Sequence, residues 1–489
     1  RSLFFPFITG RNFIFRIVIE VTFVLWLWLM MTESKYRPQT SAIFYGIIGL
    51  VSILFLATIF SISPYKSFWS SFERMEGFFG LWHYFLYFLM LISVFKSETD
   101  WRNFFGISLI TSLLVSLYGV FQLLGKLDVH QGDDRLDATM GNATYLAIYL
   151  VFHIFILAFF FFKTKRISWK IIFAGAALLE LFIVYKTATR GAILGLIFGV
   201  LVFSLFSFIK SRGRIRKISG VILALSIAVP ILFLSLKNSS FVKNSEVLNR
   251  FATISFSETT TQSCFIIWNM AYQAWKDRPV LGWGPESFVY VFSKYYDSRL
   301  WRQEPWFDRA HNVFLDWLTS AGILGLLAYL SIFGSALMIL YKLHKCNILN
   351  PELAGLCWGA LLAYFIHNIF VFDNFSSYMI FFALLSYWHF LYTNKANTGK
   401  TELDDSISKS AVPFILRWGI MAVVIPASIF SLYSFNIKPV LAARSILDAL
   451  RLVTYSADGS RTRNLGEGIK TLERGIGYDT FGTIEIIEQ

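Results

Sequence analysis

Charged residues are scarce in this chain of 489 residues, where they make up 15% of the sequence against 56% for hydrophobic residues. A soluble domain averages about 25% charged residues, so the composition excludes a large soluble enzyme. Apolar runs of roughly 20 residues, each long enough to cross a hydrocarbon core of about 30 Å, recur along nearly the whole sequence. The sequence therefore predicts an all-α membrane protein that crosses the bilayer many times.

Cysteine and metal-binding patterns are also rare. The three cysteines, Cys264, Cys346 and Cys357, lack the spacing of a metal site, and their predicted positions argue against a disulfide framework. No aspartate-rich motif for divalent metals occurs in the predicted outer loops. The run PVLGWGPESF (279–288) lacks the lysine of a P-loop, so we interpret it as a tight turn that positions Trp283 and Glu286. We expect no cofactor, no metal ion and a metal-independent mechanism.

The net charge of +13 is distributed among short loops between apolar runs, which is typical of cytoplasmic loops and not of a nucleic-acid-binding surface. The densest basic clusters lie at residues 163–170 and 210–217. Placing these and the other basic loops in the cytoplasm predicts about twelve membrane segments. We expect them near residues 12–31, 41–63, 78–95, 104–125, 143–162, 169–187, 190–209, 218–236, 311–341, 353–372, 377–393 and 412–434.

This threading places loops 64–77, 126–142, 237–310 and 374–376 on the outer side of an inner membrane. Arg1 also falls outside, so we expect a further helix upstream of it. The chain then divides into N-terminal membrane helices (1–236), a long periplasmic loop (237–310), C-terminal membrane helices (311–434) and a periplasmic tail (435–489). The long loop is rich in aromatic residues, and we expect it to be ordered and to rest on the membrane surface.

The tail contains two predicted amphipathic helices, at about 439–453 and 462–475, because apolar residues recur there at helical spacing. The two helices form either a simple hairpin or the first unit of a TPR-like helical array. Either arrangement offers a surface for a protein partner.

Arginines on the predicted outer side form a distinctive set: Arg74, Arg135, Arg190, Arg250 and Arg309. The guanidinium group is a planar fork that binds phosphate through two hydrogen bonds, so several of them suit the diphosphate of a lipid-linked sugar. The alternative is that each arginine extends to the membrane surface or pairs with a local acid. This alternative is favoured for Arg250, but the short turn that contains Arg190 has no neighbouring carboxylate.

His311 is the best candidate for a general base. It opens a membrane segment at its outer end, and a histidine near its ordinary pKa accepts a proton from a hydroxyl at neutral pH. Asp308 either orients the ring or pairs with Arg309, and Asn312 follows directly. We therefore predict a catalytic centre at residues 308–312.

The remaining histidines are weaker candidates. His367 repeats the His-Asn pair and is followed by Asp373, so both residues are candidates for lining the same cavity as His311. His83, His153 and His389 lie within apolar segments, where we expect core histidines whose hydrogen bonds are satisfied within the protein.

Five motifs, SFERMEG, RLDATMGNATYLA, TATRGA, PVLGWGPESF and AHNVFLDWLTSAGILGLL, together resemble the O-antigen ligase and polymerase superfamily of bacterial inner-membrane proteins. The resemblance covers about residues 65–375. It implies a GT-C-like polytopic fold and a metal-independent inverting glycosyltransferase, which moves a glycan from undecaprenyl diphosphate to an acceptor hydroxyl in the periplasm. By this resemblance His311 corresponds to the general base, Arg190 to the arginine of an S/T-R-G motif that binds diphosphate, and Arg135 and Arg74 to further basic positions.

The chain departs from the family pattern at one position. Before the tryptophan that is Trp268 here, related sequences commonly carry a Ser-Arg pair, whereas this chain reads Ser263-Cys264. Either the enzyme is impaired, or Arg250 replaces the missing arginine, or the residue is altered.

The resemblance leaves the acceptor open. An O-antigen ligase, an O-antigen polymerase and a protein O-oligosaccharyltransferase share the donor and differ in whether a lipid, a glycan or a protein receives the sugar. A lipid-linked sugar transporter or flippase is the rival from another class, and it predicts charges near the bilayer midplane and internal repeats. The sequence places charges at one membrane face and shows no repeat, so we favour the ligase-like enzyme.

Overall fold

The computed structural model describes residues 3–130, 135–255, 258–302, 306–397, 412–453 and 464–488. Apart from short 3₁₀ segments and one π-helical segment, the regular structure in these ranges is α-helical. The helices are α1 (Pro6–Thr32), α2 (Ala42–Ile59), α3 (Pro64–Trp69), α4 (Phe78–Val94), α5 (Glu98–Leu123), α6 (Ala143–Lys163), α7 (Ile167–Lys186), α8 (Arg190–Lys210), α9 (Gly213–Leu236), α10 (Ser240–Lys243), α11 (Glu246–Ala252), α12 (Thr259–Asp277), α13 (Phe288–Lys294), α14 (Val313–Lys345), α15 (Pro351–His367), α16 (Phe375–Asn397), α17 (Phe414–Ser431), α18 (Lys438–Val453), α19 (Leu465–Ile476) and α20 (Thr483–Ile487).

The predicted all-α, multi-pass architecture is confirmed. A helix lies at each predicted membrane segment, and nine helices within the described ranges are long and apolar enough to cross a membrane. The helix at 78–94 is apolar but has only 17 residues. The number of twelve membrane crossings therefore stays a prediction.

Helices α8 and α15 pack closely because small residues face each other along both. A Cβ atom built on Gly195 would lie 2.5 Å from the carbonyl oxygen of Ala363, and one on Gly199 would lie 2.6 Å from that of Gly359. Small residues at intervals of four let two membrane helices approach backbone to backbone. This contact fixes the start of α8, where Arg190 lies, against the end of α15.

Helix α14 is broken near its start, where the sequence predicted a single segment. Gly322 has a φ of 64°, which is not helical, and the run 279–288 fits against this break. The Ile323 amide donates a hydrogen bond to the Pro279 carbonyl (2.8 Å), and the Trp283 amide donates one to the Thr319 carbonyl (2.8 Å). The predicted tight turn is confirmed, since Gly284 has a φ of 100° and both Trp283 and Glu286 are buried.

The segment 237–310 is helical in most of its described residues and has a hydrophobic cluster of its own. Buried side chains of α12 and α13, among them Ile267 and Val291, pack with Trp283 and Phe307. The described part of this segment therefore contains regular helices. Its place on the periplasmic side and on the membrane surface stays a prediction.

The tail helices occur where the sequence predicted them. Helix α17 continues through the π-helical segment Leu432–Ile437 into α18, and α19 packs against α18. Residues 462 and 463 of the second predicted helix lie outside the described residues. Beyond α19, the chain returns to the loop before Arg74, where the Phe72 amide donates hydrogen bonds to both Glu485 carboxylate oxygens (2.9 Å each). Whether the hairpin begins a longer array stays a prediction.

The three histidines inside apolar helices have structural partners, as predicted, but Nε2 of His389 is buried without a hydrogen-bond partner among the described residues, so the prediction of satisfied hydrogen bonds is wrong for this ring. The rings of His83 and His153 bond to Glu20 (3.1 Å) and Ser108 (2.8 Å), and that of His389 bonds to Ser41 (2.8 Å). Hydrogen bonds of this kind offset the cost of placing a polar ring among apolar side chains.

Candidate active site

The candidate site lies at one end of the helix bundle, with the ring of Phe372 at its centre. The His311 ring lies 5.2 Å from this ring, nearly perpendicular to it. The guanidinium carbons of Arg74 and Arg309 lie 5.0 and 5.7 Å from its centroid, which is within the range of cation–π attraction. We refer to Arg74, Asp308, Arg309 and His311 as the histidine cluster. The sequence did not indicate Phe372 as the centre of this cluster, because nothing local distinguishes it from the rest of the 52 phenylalanines in the chain.

Arg74 and Asp308 form a two-point ion pair between segments that are distant in sequence. Arg74 Nε and Nη2 donate to the two carboxylate oxygens of Asp308, at 2.5 and 2.9 Å, and Nη1 donates to the Tyr145 hydroxyl at 3.3 Å. Burial alone would raise the pKa of Asp308, but Arg74, together with Arg309 and His311, holds that pKa below its ordinary value. Asp308 is therefore a carboxylate paired with Arg74, and not with its neighbour Arg309.

Arg309 is buried between two other carboxyl groups. Its Nη2 donates to Glu76 Oε2 at 2.7 Å and also contacts Glu286, whose second oxygen accepts a hydrogen bond from the Ser70 hydroxyl at 2.9 Å. Burial raises the pKa of Glu76 to about 8, although Arg309 opposes the shift. Burial therefore favours the neutral form of Glu76, whereas Arg309 favours its charged form.

Replacing Arg309 should destabilise the protein strongly. Arg309→Ala would leave Glu76 and Glu286 in a buried site without their cation, and losing one partner of a buried ion pair costs about 3–5 kcal/mol. We expect a clearly lower melting temperature in detergent. Arg299→Ala is the matched control, because the Arg299 side chain is 73% exposed and its pair with Asp297 lies at the surface. Equal melting temperatures for the two variants would contradict a structural role for the buried pair.

His311 has the surroundings of a neutral imidazole. Its ring is half-buried between Phe307 (5.5 Å) and Phe372, and no described residue hydrogen-bonds to either ring nitrogen. Burial lowers the pKa of His311 to about 4; Asp308 opposes this shift, whereas Arg74 and Arg309 add to it. The ring is therefore free of charge at neutral pH and able to accept a proton. Asn312 lies next to it and caps α14, where its side-chain oxygen accepts from the Phe314 (3.0 Å) and Leu315 (3.2 Å) amides.

Left-handed backbone conformations are concentrated around this site. Six non-glycine residues with positive φ lie in the loops that carry or adjoin the site residues: Ser70, Met75, Ala138, Ala188, Glu286 and His311. Such conformations cost of order 1–3 kcal/mol each and are commonest at functional sites. Left-handed conformations of this kind are typical of loops whose backbone is held in position by the contacts of their functional side chains.

A second group of basic residues, the arginine cluster, consists of Arg135, Arg190 and Arg250 with Glu258. Arg190 pairs with both Glu258 oxygens, at 2.8 and 3.0 Å. Burial would raise the pKa of Glu258, but Arg190 and, more weakly, Arg250 hold it below its ordinary value. Arg135 donates to the Thr187 carbonyl (3.0 Å) and the Thr189 hydroxyl (3.1 Å) in the turn before Arg190. The sequence near Arg190 contains no carboxylate, and the structure supplies one from 68 residues away.

The two clusters lie on either side of the first turn of α6. The Thr189 hydroxyl, which binds Arg135, is 3.4 Å from the Ala143 carbonyl, and Tyr145 two residues later binds Arg74. The loop that contains Phe372 also reaches α8, because a Cβ atom built on Gly191 would lie 3.1 Å from Phe370. Predicted diphosphate-binding residues and the predicted base therefore share one end of the bundle.

Cys264 and Trp268 lie on α12 beside the arginine cluster. Burial raises the pKa of the Cys264 thiol, and the charges of Arg190 and Glu258 both act on it. The indole nitrogen of Trp268 is buried without a hydrogen-bond partner among the described residues. Cys264, at which the sequence departs from the expected family pattern, therefore adjoins Arg190.

His367 and Asp373, the two candidates near the second His-Asn pair, lie in different environments. Asp373 accepts hydrogen bonds from Tyr329 (3.0 Å), Asn368 (3.1 Å) and Tyr364, and it lines a cavity of about 30 Å³ next to Arg309. His367 is buried in α15 against α8, is not among the residues that line this cavity, and has no hydrogen-bond partner among the described residues. Asp373 therefore borders the histidine cluster, whereas His367 does not line this cavity.

A family model described as O-antigen ligase matches residues 175–330, a segment that includes Arg190, Glu258, Arg309 and His311 but neither Arg74 nor Arg135. No curated protein matches the chain. The resemblance to the O-antigen ligase and polymerase superfamily is confirmed over residues 175–330. The long apolar helices support a multi-pass membrane protein.

Proposed function

We propose that this chain, whose residues 175–330 match the O-antigen ligase family, transfers a glycan from undecaprenyl diphosphate to an acceptor hydroxyl. The reaction takes place at the periplasmic face of the inner membrane, to which the predicted threading assigns both clusters. The observation that carries the proposal is the half-buried His311, inside the matched segment, beside the largely buried guanidinium groups of Arg74 and Arg309.

In the proposed reaction the acceptor hydroxyl attacks the anomeric carbon of the donor sugar while His311 accepts the hydroxyl proton. The bond from that carbon to the diphosphate oxygen breaks, and the oxygen keeps the electron pair, so the configuration at the carbon inverts. Negative charge grows on the leaving diphosphate, where Arg190, Arg135 and Arg74 stabilise it. In this step His311 takes up the proton and the three arginines stabilise the negative charge, so the proposed step requires no metal ion.

Both clusters contain carboxylates that hold the arginines in place before a substrate arrives. Glu258 occupies both donors of the Arg190 fork, which is the geometry that a phosphate group also fits. We infer that the donor diphosphate replaces Glu258 as the partner of Arg190. Asp308 orients Arg74 in the same way and contributes to the electrostatic environment of His311.

The tail bears on the acceptor of the proposed reaction. The second tail helix exposes Leu465, Ile469 and Ile476, which are spaced four and seven residues apart on one face, and this face suits a protein partner or protein acceptor. This observation favours a ligase with a protein partner, or protein glycosylation, over chain polymerisation.

The proposal is tested by glycan transfer in proteoliposomes that contain undecaprenyl-diphosphate glycan and, in separate reactions, a lipid, a glycan or a protein acceptor. We expect transfer in the presence of EDTA, and the acceptor that is consumed identifies the type of enzyme. Cys264→Arg should be assayed in parallel, because transfer only by this variant would show that Cys264 disables the chain. Absence of transfer from both proteins to all three acceptors would contradict the proposed function.

A further inference from the structure

A cavity of about 900 Å³ lies between α5, α6 and α7, with side chains of α15 and α16 at its base. It includes the start of α5 and the end of α6, so it lies at the opposite end of the bundle from the histidine cluster. A volume of several hundred cubic ångström is typical of sites that enclose a ligand. The proposed glycan transfer uses no part of this cavity.

The walls of the cavity are mainly apolar, and its length suits a hydrocarbon chain. Along α5 it extends from Glu98 to Leu113, which corresponds to about 22 Å at a rise of 1.5 Å per residue. One leaflet of the hydrocarbon core is about 15 Å thick, so an acyl chain of ordinary length fits. Ile110 and Ile172 at its edges are 61% and 51% exposed, so the cavity is bordered by surface that faces lipid.

The mouth of the cavity is strongly basic. Arg102, Lys163, Lys165 and Arg166 line it with one acid, Glu98, which pairs with Lys163. No ion pair with a described residue neutralises Arg102, Lys165 or Arg166, so the mouth carries a net charge of +3. Trp169 beside them is 46% exposed, as is common for tryptophan at the level of lipid headgroups.

We propose that this cavity binds one anionic phospholipid, with an acyl chain between α5 and α7 and the phosphate at Arg102, Lys165 and Arg166. Basic pockets between membrane helices on the cytoplasmic side are a recognised mode of anionic lipid binding. The basic residues at this mouth belong to loops that the predicted threading places in the cytoplasm, so the lipid comes from the inner leaflet. The donor lipid is not the proposed occupant, because its diphosphate has to reach the arginine cluster at the other end of the bundle. This site is independent of the proposed glycan transfer.

Native mass spectrometry of the delipidated full chain tests the charge requirement. Phosphatidylglycerol and phosphatidylcholine with identical acyl chains are the two probes. We expect one tightly bound phosphatidylglycerol, at least tenfold preferred over phosphatidylcholine, and loss of that preference in Arg102→Gln/Lys165→Gln/Arg166→Gln. Arg212→Gln/Arg214→Gln/Lys217→Gln removes the same charge from another exposed basic loop of the same predicted side and should keep the preference.

A variant that fills the cavity tests the position of the acyl chain. Gly106 lines the cavity, and a Cβ atom built there meets no other atom within 4 Å, so Gly106→Trp is accommodated by the empty space. We expect Gly106→Trp to lose the bound phosphatidylglycerol. Gly49→Trp, at an equally open position on α2, should retain it. Equal binding of the two lipids, or loss of the phosphatidylglycerol preference in both triple charge variants alike, would overturn the proposal. Retention of bound phosphatidylglycerol in Gly106→Trp would also overturn it, as would stoichiometric displacement of phosphatidylglycerol by undecaprenyl phosphate.

Discussion

We expect His311→Ala to lower glycan transfer by about 10²–10⁴-fold while the protein remains folded, because this is the usual contribution of a positioned general base. The His311 ring makes no hydrogen bond to a described residue, so its removal breaks no polar network in the described part of the chain. Transfer rates in proteoliposomes and the melting temperature should be measured together. His311→Gln should be equally inactive, because the amide is polar but does not accept the proton.

His130→Ala is the matched control, since His130 is a loop histidine at the same end of the bundle and contacts Asp137. Its rate should stay near that of the wild type. A His311→Gln variant with substantial transfer would contradict the assignment of the base.

The pH profile gives a further signature of His311. Protonation removes the base, so kcat/KM falls as pH drops through the pKa of His311, which burial lowers from 6.5 to about 4. A histidine with an ordinary pKa near 6.5 would be neutral in only about a quarter of molecules at pH 6. We therefore expect nearly equal kcat/KM values at pH 6 and 7.5, with the decline nearer pH 4. An acid limb centred at pH 6.5 would contradict the buried position of the base.

The second large effect is expected at Arg190. Arg190→Ala should lower kcat for glycan transfer by about 10²–10³-fold, as does the loss of one well-placed donor to a developing anion. The Arg190 guanidinium is only partly buried, with 23% of the side chain exposed, so we expect little change in the melting temperature. Transfer rate and melting temperature, measured on the same preparation, separate catalysis from folding.

Glu258→Gln is the variant that distinguishes binding of the diphosphate from a merely structural ion pair. If the donor diphosphate replaces Glu258, removing the negative charge leaves Arg190 available, and the KM for the donor should stay the same or fall. If the pair only holds α8 and α12 together, Glu258→Gln should lose as much activity as Arg190→Ala. The second result would refute the proposed role of Arg190.

Several features were predictable because their signals are local in sequence. Apolar runs place the membrane helices and periodic apolar residues place the tail helices, since the length and periodicity of a helix depend on consecutive residues. The motif with glycines at 282 and 284 predicted the tight turn that carries Trp283 and Glu286. The candidate base and the candidate arginines were likewise chosen one by one, from their residue type and their place at the end of a segment.

Contacts between residues that are distant in sequence could not be predicted from such local signals. The Glu258 partner of Arg190, the Asp308 partner of Arg74 and the central ring of Phe372 all come from distant segments. The break in α14 at Gly322 was also missed, because glycine alone does not break an apolar helix, and here the break accommodates the run 279–288.

The sequence by itself therefore determined that this is a many-helix membrane protein with a segment, residues 175–330, that matches an O-antigen ligase model, and it provided the candidates for moving a proton or holding a diphosphate. Only the tertiary structure decided which of them meet. Burial removes water from His311 and Glu76 and so changes their pKa values. Folding also pairs Arg74, Arg190 and Arg309 with carboxyl groups from distant parts of the sequence. Both effects depend on which helices pack together, and this depends on long-range contacts such as the glycine-lined interface of α8 and α15.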